Sequence, residues 1–171
     1  INIHNNDLVN ELASFINKVL VFSRKNYSNR IPSGKMDQNL KNDILNLYFN
    51  LGDKIEEGRF HESLIDIMNL CKKGNKYFES NKVWNLLSKD PSKCKEVIYN
   101  CIQIIVNLSN LLYPFMPNTC DKIKISLNLG EGIWSFTEKK EGIIRECSIL
   151  FNKIDKKRAT EEVIRLKEKK I

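Results

Sequence analysis

Residues 91–112 restrict the fold more than any other stretch of the chain. Val97, Ile98, Cys101, Ile102, Ile105, Leu108, Leu111 and Leu112 recur at spacings of three and four. That is the period of one broad helical face, wide enough to need covering by several neighbours. Asp90-Pro91 is a start signal, because Asp accepts from free helix N–H groups and Pro fits the first turn without losing a bond. Pro114 and Pro117 end the run. A chain built around such an element is a helical bundle with this helix at its centre.

The flanking sequence supplies the other members. Asn5-Asn6-Asp7 is expected to cap a first helix that turns Leu8, Leu12, Phe15, Ile16, Val19 and Leu20 inward and leaves Ser14 and Lys18 one turn apart on a polar face. A loop over 27–35, with Pro32 and Gly34, closes it. Leu40, Ile44, Leu47, Leu51 and Ile55 mark a second helix stopped at Gly58; Phe60, Leu64, Ile67, Met68, Cys71 and Phe78 mark a third. A short fifth is expected from Asn118 through Cys120 and Ile123 to Leu127. Trp134 and Phe136 alternate like a brief extended segment within 130–146, where Trp134 reads as packing. Residues 156–170 form a charged helix whose apolar positions, Val163, Ile164 and Leu166, are too few to bury it, so it docks elsewhere or is mobile. The expected class is all-α, a bundle of about five main helices over 1–155 followed by a charged helix or tail over 156–171.

Composition narrows the function. At 171 residues and 42% hydrophobic content the chain can bury one sizeable core. No apolar run approaches the roughly 18 residues of a membrane span, so no membrane partner is expected. The first residue is Ile1, with no charged-then-apolar leader, and the sequence reads as a piece of a longer polypeptide. Five cysteines fall mostly on apolar stripes without CxxC spacing, and there are two histidines, so buried free thiols in a reducing cytoplasm are expected rather than disulfides or a metal site. No glycine-rich phosphate loop is present.

Charge is uneven. The net +7 arises from 28 basic against 21 acidic residues, and between Leu12 and Met36 there are five basic residues (Lys18, Arg24, Lys25, Arg30, Lys35) and no acid. Such a field favours nucleic acid, although many basic runs are only solvated faces. Trp84 lies between the third helix and the central one, within residues 81–89 and among Lys82, Asn85 and Lys89. Single-stranded loops are bound by stacking bases on aromatic rings and bonding their edges under a positive field, so Trp84 is a candidate platform. A core tryptophan stapling the junction is the other reading.

Four motifs occur in order along the chain: Glu-Leu-Ala-Ser-Phe-Ile-Asn-Lys-Val-Leu at 11–20, Asn75-Lys-Tyr with Trp84, Leu112-Tyr-Pro-Phe-Met-Pro, and Phe151-Asn-Lys-Ile-Asp. The set resembles the anticodon-binding domain of methionyl-tRNA synthetase, a class I aminoacyl-tRNA synthetase. In that family the corresponding runs read Leu-Gly-Asn-Phe-(Ile/Val)-Asn-Arg, Asn-Arg-Tyr then Ala-Pro-Trp, Leu-x-Pro-Phe-Met-Pro and Phe-Pro-Arg-Ile-Asp. The resemblance implies a bundle that reads the CAU anticodon of tRNA(Met) for a methionine-tRNA ligase. The catalytic domain, which uses ATP with Mg, would lie upstream in the same polypeptide. Lys35-Met36 continues Asp-Gln and does not match that domain's Lys-Met-Ser-Lys-Ser signature, so no catalytic residue, cofactor or metal is expected in this stretch.

By resemblance Trp84 stacks on a base, and the two edge-reading positions fall on Ser14 and Lys18, where the family has Asn and Arg. Serine has the shorter reach, and lysine keeps the charge without the planar fork. Asn75 and Tyr77 are expected to organise the helix end. Two alternatives stay open: a non-catalytic binding module derived from this domain, and the equivalent bundle of another class I synthetase.

Overall fold

The computed structural model describes residues 1–168. The first rod is π-helical over His4–Ala13 and continues without a break as α1 (Ser14–Asn26). It is followed by α2 (Gln38–Glu56), α3 (Phe60–Ser80), α4 (Val83–Lys89), α5 (Pro91–Leu111), α6 (Pro117–Leu127) and α7 (Lys156–Glu168). The expected class and the central helix both hold. Ile102 and Ile105 of α5 are wholly buried, whereas Val163 and Leu166 of α7 are exposed. Of the helix expected over 156–170, residues 169–170 lie outside the described residues.

Local chemistry sets the boundaries. Asp37 accepts from Leu40 N at 2.9 Å to start α2, and Asp90 accepts from Lys93 N at 3.0 Å to start α5 behind Pro91. Gly58 follows α2 in a left-handed conformation, φ +73°. One close approach fixes the bundle's centre: a Cβ built at Gly74 of α3 would stand 2.6 Å from Phe15 Cζ and 3.2 Å from Ile104 Cδ1. Glycine there lets α1, α3 and α5 meet.

Three expectations are corrected. Asn5 caps nothing; its carboxamide pairs with the backbone of Ile154 in both directions, at 2.8 and 2.9 Å, and His4 Nε2 lies 2.9 Å from Asn152 O. The start of the first rod therefore holds the Phe151-Asn-Lys-Ile-Asp segment, with His4 edge-on to Phe151 at 5.9 Å. Phe60, expected on the buried stripe of α3, is exposed and meets Phe115 edge-on. Around Trp134 and Phe136 no strand forms among the described residues; the chain bends irregularly, and Arg30 and Ile143 make an isolated antiparallel bridge.

This irregular strap over 129–155 is held by polar side chains of α5. Gln103 accepts from Lys139 N at 2.8 Å and donates to Lys139 O at 3.0 Å; Asn107 does the same with Thr137 at 3.0 and 2.8 Å. The register fits, because four helical residues rise about 6 Å and two extended residues span about 6.6 Å. Asn100 makes the matching pair one turn earlier, accepting from Asp37 N and donating to Lys35 O. Trp134 packs edge-on to Tyr48 at 5.6 Å, as its expected packing role requires.

Candidate nucleic-acid interface

Residues 81–89, expected as a junction, are mostly the short helix α4. Lys82 takes a left-handed conformation, φ +45°, and turns the chain sharply out of α3. Val83 is buried, and a relay fastens it: Tyr27 Oη donates to Cys94 Sγ at 3.2 Å and Cys94 Sγ donates to Val83 O at 3.4 Å. Burial holds both the Tyr27 phenol and the Cys94 thiol protonated by raising their pKa values. With Val83 anchored, the next residue faces outward, and Trp84 is 56% exposed.

Its ring has support on one side. Tyr27, Phe22, Phe78 and Trp84 form a chain of tilted or edge contacts, with centroids 6.3, 6.1 and 6.1 Å apart. Edge-to-face packing of this kind orients a ring while leaving a face available. The cleft beside it, about 500 Å³, is lined by α1 through Asn17, Lys18, Val21, Phe22, Lys25 and Asn26, and by Phe78, Trp84 and Leu87 across from it.

The structure thus brings Lys18 and Trp84, 66 positions apart in sequence, into one cleft. Ser14 lines a neighbouring groove of about 360 Å³ instead, between α1 and residues 147–151 of the strap. Lys18 is also committed. Its ammonium donates to Asn75 Oδ1 and to Glu79 Oε1, both at 2.7 Å, and Asn75 Nδ2 donates to Glu11 Oε2 at 3.1 Å. Asn75, expected to organise the helix end, therefore ties α3 to both Lys18 and Glu11.

Sequence reasoning missed Glu79 and Asn17, and it counted Lys25 only as one charge of the basic run. Glu79 follows Asn75 by four residues, so the two share a helical face, which was the available signal. Asn17 is exposed on the ridge between the two grooves and lines both. Arg24, Lys25, Arg30 and Lys35 form no ion pair among the described residues, so their charge stays available to an anion. Among the described residues, no group of three or more His, Cys, Asp or Glu is placed to hold a metal ion, and no helix is long and apolar enough to cross a membrane. All five cysteines carry free thiols, and four of them are buried.

A family model described as the anticodon binding domain of methionyl tRNA ligase matches residues 30–165. The chain belongs to this family. The match to the methionyl tRNA ligase anticodon-binding domain includes Trp84 and begins after α1, so Ser14 and Lys18 lie outside the matched residues. Methionine–tRNA ligase 1 of Alkaliphilus oremlandii (strain OhILAs) is 34% identical over 167 residues, 97% of this chain and 31% of that protein. The methionine–tRNA ligase of Bacillus cereus (strain B4264) is 32% identical over 163 residues, 95% of this chain and 30% of that one. The chain spans about a third of the length of these relatives.

The fold of the anticodon-binding domain recurs in solved structures. The free-state crystal structure of Mycobacterium tuberculosis methionyl-tRNA synthetase superposes with a TM-score of 0.79 at 20% identity, covering 90% of this chain and 34% of that one. The form bound by methionyl-adenylate gives 0.80 at 21% identity, covering 88% and 32%. These two likenesses establish the architecture.

Proposed function

We propose that this domain binds the anticodon loop of tRNA(Met), reading CAU, as part of a cytoplasmic methionine-tRNA ligase. The ATP- and Mg-dependent attachment of methionine belongs to a catalytic domain elsewhere in the same polypeptide, and residues 1–155 form the reading unit while 156–171 form a charged appendage. The observation that carries the reading is Trp84: an exposed indole, braced from behind, in a cleft whose other wall is the basic helix α1. Stacking an unpaired base on such a ring while cations meet the backbone is the general mode of loop recognition. Lys18, with Glu79 neutralising part of its charge, contributes a donor at the cleft wall, and Ser14 acts from the adjoining groove.

One observation favours a second reading, a bundle that keeps the fold without reading the anticodon: Lys18 is already bonded and Ser14 opens elsewhere. Fluorescence separates the two. In a Trp134→Phe background the remaining indole is Trp84, and a stem-loop RNA carrying CAU is expected to quench it and to bind more tightly than the same stem with a scrambled loop. Absence of quenching at saturating RNA would favour the second reading.

A further inference from the structure

We propose that Asn17, rather than Ser14 or Lys18, is the side chain that reads the edge of the nucleobase stacked on Trp84. The inference rests on the reading of the Trp84 cleft as a base platform and names the specificity-determining group within it.

Discriminating one base from another needs a donor and an acceptor in a fixed relation, which a carboxamide offers and an ammonium does not. The polar residues lining the cleft are Asn17, Lys18, Lys25 and Asn26. Lys18 spends two of its three donors on Asn75 Oδ1 and Glu79 Oε1, and it has no acceptor, so it can offer a base edge one N–H but not a donor–acceptor pair. Asn26 folds back on its own helix, donating to Phe22 O at 2.9 Å. Lys25 is an exposed cation suited to a phosphate. Asn17 alone among them presents a carboxamide that makes no side-chain hydrogen bond among the described residues.

Placement agrees with the chemistry. Asn17 precedes Lys25 by eight residues, about 12 Å along α1, with Val21 and Phe22 between them as an apolar floor. A base lying over that floor against Trp84 would turn one edge toward Asn17 and its sugar-phosphate toward Lys25. Ser14 is one turn further back and opens into the other groove, with a single hydroxyl and a shorter reach.

The test uses the 171-residue chain with Trp134→Phe and stem-loop RNAs carrying CAU or a replacement at one anticodon position at a time. Asn17→Ala is expected to lower discrimination about five- to 150-fold at one position and to leave the other two unchanged. Asn17→Asp, of the same shape but with an acceptor in place of the donor, should alter preference at that same position. If Asn17→Ala discriminates at every position as the parent does, or weakens all RNAs equally, while Trp84 is still quenched, Asn17 is not the reader and the cleft assignment stands. If no RNA quenches Trp84, the cleft assignment fails and this inference fails with it.

Discussion

Lys18 and Glu79 meet at 2.7 Å across the seam between α1 and α3, on the wall of the cleft that Trp84 overlooks. The pair is partly exposed, so its own contribution to stability is small, about 0–1 kcal/mol. Its larger effect is on the field. A carboxylate beside the one cleft lysine nearest α3 subtracts from the attraction for a phosphate backbone. Glu79→Gln is therefore expected to strengthen binding of the stem-loop at low salt by about two- to fivefold and to steepen the salt dependence by up to about one unit of slope. Lys18→Ala should act in the opposite sense. A titration series across salt concentrations measures both, and weaker binding by Glu79→Gln would show that the pair serves to position Lys18 for the RNA.

Trp84→Ala should weaken stem-loop binding by about five- to 150-fold, the range for loss of one stacked base. Trp84→Phe keeps a π-face and should recover part of that loss. Because Val83 and Cys94 anchor α4 from beneath, and the Trp84 ring is mostly exposed, the melting temperature of Trp84→Ala should stay near that of the parent. A large fall in melting temperature would mean that the ring staples the junction.

Much of the bundle was legible because its apolar residues repeat with the helical period and its ends carry Asp, Pro and Gly in the right places. What escaped has specific causes. The apolar stripe of α5 marks half of its surface; the other half, Asn100, Gln103, Asn107 and Asn110, is also buried because residues 35–37 bring backbone partners to Asn100 and the strap brings partners to the other three. Those four carboxamides recur at spacings of three and four, a stripe of their own that the hydrophobic pattern hides. Helix α4 is one of the shortest elements, and Lys82 rather than glycine makes the left-handed turn before it, so its start does not announce itself. The commitment of Lys18 depends on a partner 61 residues away, which no local pattern reveals.

Gly74→Ala tests the close approach at the centre. Alanine is the better helix former by about 1 kcal/mol, which alone predicts stabilisation. The new methyl, however, would fall within 2.6–2.9 Å of the Phe15 ring, and overpacking of a core costs about 1–3 kcal/mol. Net destabilisation is expected in urea unfolding; a midpoint at or above that of the parent would show that Phe15 yields freely.

Gln103→Leu keeps approximate size and removes both bonds to Lys139, leaving a backbone N–H and C=O of the strap without their partners. Each such group costs about 1–3 kcal/mol if it stays buried. The expected result is a loss of about 2–4 kcal/mol, or, if the strap lifts instead, a smaller loss with faster amide exchange confined to 135–141. Unchanged stability together with unchanged exchange would mean that the pair adds nothing.

The buried thiols predict how stability responds to alkali. Burial, aided by Glu11, pushes Cys71 from 9.0 up to about 12, and burial pushes Cys120 to about 12 as well. The direction of the linkage follows from which state holds the proton. Below pH 9 both folded and unfolded chains keep these thiols protonated, so the stabilising contribution is complete. Between about pH 9 and 12 the unfolded chain releases protons that the folded chain retains, and stability falls with rising pH. Each thiol adds about 1.4 kcal/mol per pH unit to that slope. Urea unfolding under reducing conditions from pH 8 to 11 should show the decline, and Cys71→Ala, though less stable at pH 8, should decline less steeply above pH 9. If the curves for Cys71→Ala and the parent ran parallel from pH 8 to 11, Cys71 would be titrating alike in both states, and its burial in the folded chain would have no hold on its proton.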